Sequence, residues 1–275
     1  MQLVSSVPPV FMPDARQETV LQLGLTPLAL HDWIQSDADF IQFHEHKLAV
    51  QSLFPAKVSG ARSTVAAEIF AEFLLETLLV EHSEIYSSDD STLTHLPSGL
   101  SWALADRSLA TVSRWVQEDI CLLEPEQGIY KLTAASVCSP SNWRLEEKIG
   151  CSLDAIHAPV PSYDKVLATR VNRLLTNLKP EKSLCRFNWS VQRGNELLWR
   201  DDISSQEESA LYWRIERQSL LRIPKTDIII FSIRIYLHSF ADLVKMPDFR
   251  SNLQTIIGKL PAEQSAYKGL LDKLF

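Results

Sequence analysis

The residues best suited to chemistry lie in one central stretch, residues 138–164. It reads CSPSNWRLEEKIGCSLDAIHAPVPSYD and follows neither the helical nor the strand period, which is typical of a loop that carries function. Within it His157 precedes Pro159 and Pro161, whose rings fix φ at about −65° and remove backbone donors. We therefore expect the His157 imidazole to project from a stiff, extended segment. It would act there as a ligand or catalyst, or it would only satisfy a local hydrogen bond.

A second set of polar side chains falls on two predicted strands, residues 209–223 and 227–237. The second segment, DIIIFSIRIYL, is too rich in β-branched residues for a helix. Only Pro224, Lys225 and Thr226 separate the two segments, and so short a connection favours an antiparallel hairpin.

The register of this hairpin decides which polar side chains share a face. With Ile223 opposite Asp227, Glu216 lies opposite Arg234. One face is then predicted to carry Arg214, Glu216, Gln218, Arg222, Ser232, Arg234 and Tyr236. This polar face is either solvated and held by a cross-strand ion pair, or it is the wall of a concave pocket for an anionic or planar ligand.

Arg217 is the exception on the other face of the predicted hairpin, which is almost entirely apolar. A guanidinium among isoleucines is costly unless a carboxylate or similar anion meets it. We therefore expect Arg217 to bind an anion, for which a cofactor carboxylate would serve.

The elements that must position these residues are predicted from periodicity. Helical spacing of apolar residues predicts helices within 28–53, 65–78, 107–118 and 167–178. The β-branched and aromatic residues of 129–138 predict a strand, and alternation predicts another at 185–192. The polar segment 84–101 is predicted to be an exposed loop. The fold class is therefore α+β, with an antiparallel sheet flanked by helices in a single large domain, residues 28–275. Residues 1–27 are predicted to form an irregular N-terminal arm.

Composition excludes several classes of function. A chain of 275 residues with 45% hydrophobic residues can bury a large core. Its net charge of −7 argues against nucleic-acid binding, which needs a basic face. The longest uncharged apolar run, Ile228 to Ile233, is far too short to span a membrane. Four cysteines without a CxxC pair fit reduced thiols, so we expect a cytoplasmic protein with no membrane partner.

Five segments, taken in order, resemble the haem-dependent oxidative N-demethylase alpha subunit and the related dimethylamine monooxygenase subunit. They are VQEDICLL, PSNWRLEEKIG, IHAPVPSY, FNW and RIERQSLLRIPKTDIIIFSIRIYL, and the resemblance covers roughly residues 20–260. Each segment alone is weakly specific, whereas the ordered set is fairly specific.

The resemblance implies a PAS-like sheet that holds a b-type haem and oxidatively removes a methyl group from a small methylated amine with dioxygen. The haem histidine of the family would fall on His157. Arg217, Arg222 and Arg234 would then be partners for the haem propionates, for which a planar guanidinium is suited. Arg214, Glu216, Gln218 and Tyr236 are further pocket candidates.

The resemblance also implies a separate reductase that carries flavin or an iron–sulfur centre. The chain has only eight glycines and neither a GxGxxG motif nor a P-loop, so it has no readable dinucleotide site of its own. Two alternatives stay open at this point. One is a haem-binding PAS-like sensor that turns nothing over, and the other is a protein-interaction domain without haem.

Overall fold

The computed structural model describes residues 3–14, 24–62, 64–160, 165–203 and 210–270. The first half of the chain contains β1 (Thr26–Pro27), α1 (Phe40–Leu53), α2 (Pro55–Val58), β2 (Ser59–Ala61), α3 (Thr64–Glu81), β3 (Tyr86–Ser88), β4 (Thr92–His95), β5 (Leu100–Ala103), α4 (Leu109–Val112), β6 (Asp119–Glu126) and β7 (Ile129–Ser136). The second half contains α5 (Leu153–His157), α6 (Lys165–Asn177), β8 (Leu184–Arg193), β9 (Leu211–Arg222), β10 (Ile229–Ser239), α7 (Phe240–Leu243), α8 (Phe249–Lys259) and α9 (Ala262–Tyr267).

The core of the fold is an antiparallel sheet with helices packed against it. Within the described part of the chain, seven strands form this sheet in the order β1-β8-β9-β10-β6-β7-β2. The strands β3, β4 and β5 form a second, smaller antiparallel sheet. The α+β class with antiparallel sheets in one domain is therefore confirmed.

The hairpin of β9 and β10 forms as predicted, but its register is one residue away from the predicted one. Ile223 donates its backbone N–H to the carbonyl of Ile228 at 3.0 Å, so four residues rather than three make the turn. Thr226 holds this longer turn, because its hydroxyl donates to the Ile223 carbonyl and accepts from the Ile228 amide. Lys225 adopts the left-handed conformation, with φ at 62°.

The shifted register exchanges the two faces of β10 relative to β9. Arg234 lies opposite Arg217, and Glu216 lies opposite Ile235. The predicted Glu216–Arg234 pair is therefore wrong, because a slip of one residue moves every side chain of a strand to the other face. Tyr236 moves with Arg234 to the face of Arg217.

We call the face of β9 that carries Arg217 the inner face and the face that carries Glu216 the open face. The inner face is covered along its length. Leu221 packs in a cluster with Phe70 and Leu74 of α3, and Trp213 packs with Phe249 of α8. The helices that lie on this face therefore seal it from solvent.

The open face is covered only at its two ends. Leu153 and Ile156 of α5 pack in a cluster at one end, and Leu3, Phe43 and Leu197 pack in a cluster at the other. Between the ends, a group of side chains on β8, β9 and β10 is only partly buried: Arg186, Asn188, Glu216, Gln218, Phe231 and Ile233. We call this group the open-face patch. It lies in the middle of the open face, and we call the space over it, between the two covered ends, the recess.

Three local predictions differ from the structure. Segment 84–101 contains β3, β4 and the first half of β5 rather than only a loop, because Tyr86 and Leu93 are buried with Trp102 of β5 and anchor the small sheet. The helix predicted at 107–118 is reduced to α4 and a 3-10 turn. The helix predicted within 28–53 begins only at Phe40.

The N-terminal residues 3–14 contain neither helix nor strand but are fixed by hydrogen bonds. The amide of Ser5 donates to the Leu237 carbonyl at 2.8 Å, and the amide of Ser6 donates to the carboxylate of Asp39 at 3.0 Å. These bonds hold the segment at the end of β10 and beside α1.

Two buried histidines should make the stability of the fold depend on pH. Burial lowers the pKa of His46 and of His95 from 6.5 to about 4. His46 binds the Cys138 carbonyl through Nε2 at 2.8 Å, and His95 stacks on Phe40 with ring centroids 3.7 Å apart. Both rings are therefore neutral in the folded protein at pH 7.

The unfolded chain protonates these rings near pH 6.5, whereas the folded protein resists protonation until about pH 4. Stability should be highest above pH 6.5 and fall between pH 6.5 and pH 4, by up to about 1.4 kcal/mol per pH unit for each ring. Urea unfolding at several pH values measures this slope. In His95→Phe, which keeps an aromatic ring beside Phe40, the unfolding free energy should fall less steeply with pH, because one proton fewer is taken up on unfolding. An unchanged slope in this variant would contradict the assignment.

Candidate functional site

His157 is the last residue of the short helix α5. The hydroxyl of Ser152 accepts a hydrogen bond from the Ala155 amide at 3.3 Å and so caps the start of this helix. The extended backbone predicted for His157 is therefore wrong, because the capped turn before it is helical and Pro159 follows only after the helix has ended. Pro161 lies outside the described residues.

The His157 ring is fixed in one tautomer. Its Nδ1 lies 2.8 Å from the carbonyl oxygen of Leu153, one helical turn earlier. A carbonyl oxygen can only accept, so Nδ1 carries the proton and Nε2 carries the lone pair. Burial lowers the pKa of His157, the Leu153 hydrogen bond opposes this, and the charge of Arg186 lowers the pKa further. The neutral ring with its Nδ1–H held by a carbonyl is the form in which histidine binds metals.

Polar groups of the open-face patch are organised around Glu216. Its carboxylate accepts from the side-chain amides of Asn188 at 3.2 Å and Gln218 at 2.9 Å, and from Arg214 Nε at 3.3 Å. Lys268 reaches this group from the C-terminal segment, and its ammonium donates a hydrogen bond to Asn188 Oδ1 at 3.2 Å. Burial lowers the pKa of Lys268 to about 8, while Glu216 opposes the shift. These groups form one connected polar wall.

Apolar side chains form the other half of the patch. Phe231 and Ile233 of β10 are partly buried beside Gln218, which pairs across the strands with Ile233. A surface that is polar on one side and apolar on the other suits a planar, amphipathic ligand.

Two of the predicted anion-binding arginines lie on the inner face, on the other side of the sheet from His157. Arg217 donates to the backbone carbonyls of Asp32 at 2.5 Å and Trp33 at 2.9 Å. Arg234 forms an ion pair with Asp37 at 2.8 Å. The structure therefore does not bring Arg217 and Arg234 together with His157.

The other predicted pocket residues divide between the two faces. Tyr236 is on the inner face, and its burial raises its pKa to about 12. Arg214 is on the open face but fully buried, and it donates to the Ser139 carbonyl at 2.5 Å as well as to Glu216. Glu216 and Gln218 lie in the open-face patch.

Arg222 lies at the covered end of the open face and already has several acceptors. Its guanidinium donates to the carbonyls of Leu175 at 2.9 Å and Leu178 at 2.7 Å, and it pairs with Asp227 at 2.6 Å. The hydroxyl of Tyr130 lies 2.8 Å away. These contacts fix the turn after β9 and the end of α6.

Three residues of the site were missed from sequence: Arg186, Asn188 and Lys268. A signal for the first two was present, because the alternation along β8 places them on its polar face. The register of β8 against β9 then sets Arg186 opposite Gln218 and Asn188 opposite Glu216. No sequence pattern indicated that Lys268 would return to this face from the C-terminal segment.

Residues 24–272 match a protein family described as haem-dependent oxidative N-demethylase, alpha subunit-like. The match covers most of the chain. The chain belongs to this family. Because the N-demethylase alpha subunit-like family is haem-dependent, haem is the cofactor that this site should fit.

The residues present fit a haem. His157 supplies a neutral imidazole whose orientation is set by the Leu153 carbonyl, and a haem iron held by the protein needs one such ligand. The recess beside it has an apolar half, at Phe231 and Ile233, and a polar half around Glu216.

None of the helices among the described residues is long and apolar enough to cross a membrane.

Proposed function

We propose that this protein is a haem-dependent oxidoreductase that removes a methyl group from a small methylated amine, with haem b bound through His157 in a PAS-like sheet. The observation that carries the proposal is the state of the His157 ring: neutral, with Nδ1–H held by the Leu153 carbonyl, beside the open-face patch. Family membership supplies the type of reaction.

The haem, when bound and supplied with electrons, would provide the oxygen chemistry that an amino-acid side chain cannot. The contribution of the chain is to hold the cofactor and shape the space beside it. Phe231 and Ile233 would exclude water from this space. Glu216 would accept a hydrogen bond from the protonated amine, and Asn188 and Gln218 would hold the carboxylate in place.

We place the reaction in the cytoplasm, with dioxygen and the amine as small-molecule partners. The four cysteines are all free, and Cys121, Cys138 and Cys185 are buried, which fits a reducing compartment. No nucleic acid or membrane is part of the proposal.

Turnover should require an external electron donor, because the sequence contains no readable dinucleotide motif. The haem-loaded protein alone should leave NADH unconsumed. Addition of a reductase that carries flavin or an iron–sulfur centre, or of peroxide in its place, should release formaldehyde from a methylated amine. Formaldehyde and NADH are measured in parallel, with heat-inactivated protein as the control.

Two outcomes would contradict this proposal in different ways. Catalytic oxidation of NADH by the purified chain would show that it has its own electron-entry site. A protein that binds haem but stays inert with several reductases and with peroxide would instead be a haem-based sensor.

A further inference from the structure

We propose that Arg186 binds a propionate carboxylate of the haem, an assignment that rests on the function proposed above. Neither the family match nor the sequence pattern singles out this residue. The argument comes from its position, from its missing acceptor and from the contrast with the other arginines of the sheet.

Arg186 lies on β8 in the open-face patch. It sits opposite Gln218 and next to the polar wall around Glu216. Leu184, two residues before Arg186 on the same face of β8, packs against the cluster that contains Leu153 and Ile156 of α5, the helix that ends at His157. Arg186 and His157 therefore belong to the same recess, although they are 29 residues apart in the sequence.

The Arg186 guanidinium lacks an acceptor where it needs one. Its Nε is buried from solvent, yet no atom of the described chain accepts a hydrogen bond from it. Burial lowers the pKa of Arg186, and the charge of Glu216 opposes this shift. In the described part of the chain the two side chains do not form an ion pair. The oxygens of Glu216 instead accept from Asn188, Gln218 and Arg214. A charged group with a buried donor atom and no acceptor is costly and indicates a site for an anion.

Arg186 differs from the other cations around the sheet because no described residue accepts a hydrogen bond from any nitrogen of its guanidinium. The Nε of Arg234 is also buried without an acceptor, but both terminal nitrogens of Arg234 are bonded, to the Ile235 carbonyl and to Asp37. Arg214, Arg217, Arg222 and Arg234 each donate to carbonyl or carboxylate oxygens of the chain. Lys268 donates to Asn188 Oδ1 and to the Trp189 carbonyl at 2.8 Å. An incoming anion would have to displace these bonds, whereas at Arg186 it would complete an incomplete set.

A haem carboxylate fits this position by its chemistry. A planar guanidinium binds a carboxylate with two parallel hydrogen bonds, a geometry that a lysine cannot provide. A haem carries its two carboxylates on one edge, and its central iron would be held by the His157 imidazole. An arginine near His157 on the same recess is therefore placed for an edge carboxylate of a ligand that His157 holds at its centre.

The test compares haem with its dimethyl ester, in which both carboxylates are blocked and the iron and ring are unchanged. Dissociation constants of both compounds are measured by quenching of tryptophan fluorescence for the wild type, Arg186→Met and Arg170→Met. Arg170 is an exposed arginine on α6, so the control removes the same charge without touching the recess. The wild type should bind haem more tightly than the ester by about tenfold to a hundredfold, the usual effect of charged hydrogen bonds. Arg186→Met should lose this preference by weakening haem binding alone.

Arg186→Met should also keep the absorption spectrum of the histidine-bound haem, and the protein without haem should be at least as stable as the wild type. Equal weakening of haem and ester in this variant would indicate a purely structural role and overturn the assignment. A preference for haem that survives in Arg186→Met would overturn it as well. A wild type that binds haem through His157 but does not discriminate against the ester leaves the proposed function standing and removes Arg186 from it. A wild type that takes up neither compound removes both.

Discussion

Replacing His157 with alanine should abolish stoichiometric haem binding. The imidazole is the ligand proposed for the iron, and changes to groups that only orient a metal ligand already weaken metal binding by about 10–100-fold. Loss of the ligand itself should exceed about a hundredfold. The measurement is haem content per chain after reconstitution and desalting, together with the absorption spectrum.

The control for this variant is His31→Ala, which removes an exposed imidazole that stacks on His82 with ring centroids 5.3 Å apart. Haem content should be unchanged in the control. Free imidazole added to His157→Ala should restore a histidine-like spectrum, because the cavity left by the side chain admits the ligand. A His157→Ala protein with full haem content and an unaltered Soret band would show that another residue holds the iron.

The main elements of the sheet could be predicted from sequence because their side chains alternate over long stretches. The strands β8, β9 and β10 each extend for ten residues or more. Residues 209–223 alone could also be drawn as a helix, and a strand is favoured because its partner is too rich in β-branched residues for a helix and the connection is short. The small sheet of β3, β4 and β5 could not be predicted, because its strands are three or four residues long and rich in serine and threonine.

The error in the β9–β10 register has a specific physical cause. The number of residues between two apolar segments does not determine how many of them the turn uses. Asp227 could have begun β10, but the Thr226 hydroxyl binds the backbone on both sides of the turn and leaves Asp227 in the loop. One residue then decided whether Arg234 shares a face with Glu216 or with Arg217.

The anion expected at Arg217 illustrates what sequence cannot show about a site. The residues correctly indicated that a guanidinium on an apolar face needs acceptors. They could not show that the carbonyls of Asp32 and Trp33, far away in the sequence, would provide them. The same limitation hid Arg186, whose importance depends on the absence of such acceptors among the described residues.

A network of buried charges connects helix α1 to the start of the central stretch. Lys47 is fully buried, and its Nζ donates to the carbonyls of Ser113 at 2.7 Å, Val116 at 3.0 Å and Glu118 at 2.5 Å. Three acceptors need three N–H donors, which only the ammonium form provides. Burial lowers the pKa of Lys47, and the charge of Asp119 opposes this shift.

Asp119 extends this network toward the site. Its carboxylate accepts from the amides of Cys138 at 2.9 Å and Ser139 at 2.8 Å, where the stretch that carries His157 begins. Arg214 donates to the Ser139 carbonyl and to Glu216. The network therefore fixes both the fold and the polar wall of the recess.

Replacing Lys47 with methionine should lower the free energy of unfolding by about 3–5 kcal/mol, because it removes a buried cation from three buried carbonyls and from a nearby buried carboxylate. Methionine fills the space of the side chain but leaves Asp119 uncompensated and three carbonyls without donors. Urea unfolding measures the change, and Lys57→Met is the control, because the Lys57–Asp202 pair is partly exposed and should contribute at most about 1 kcal/mol. Adding Asp119→Asn to Lys47→Met should cost less than the sum of the two single changes, since the second removes a charge that has already lost its partner. Equal losses in Lys47→Met and Lys57→Met would show that the buried ammonium of Lys47 does not stabilise the fold.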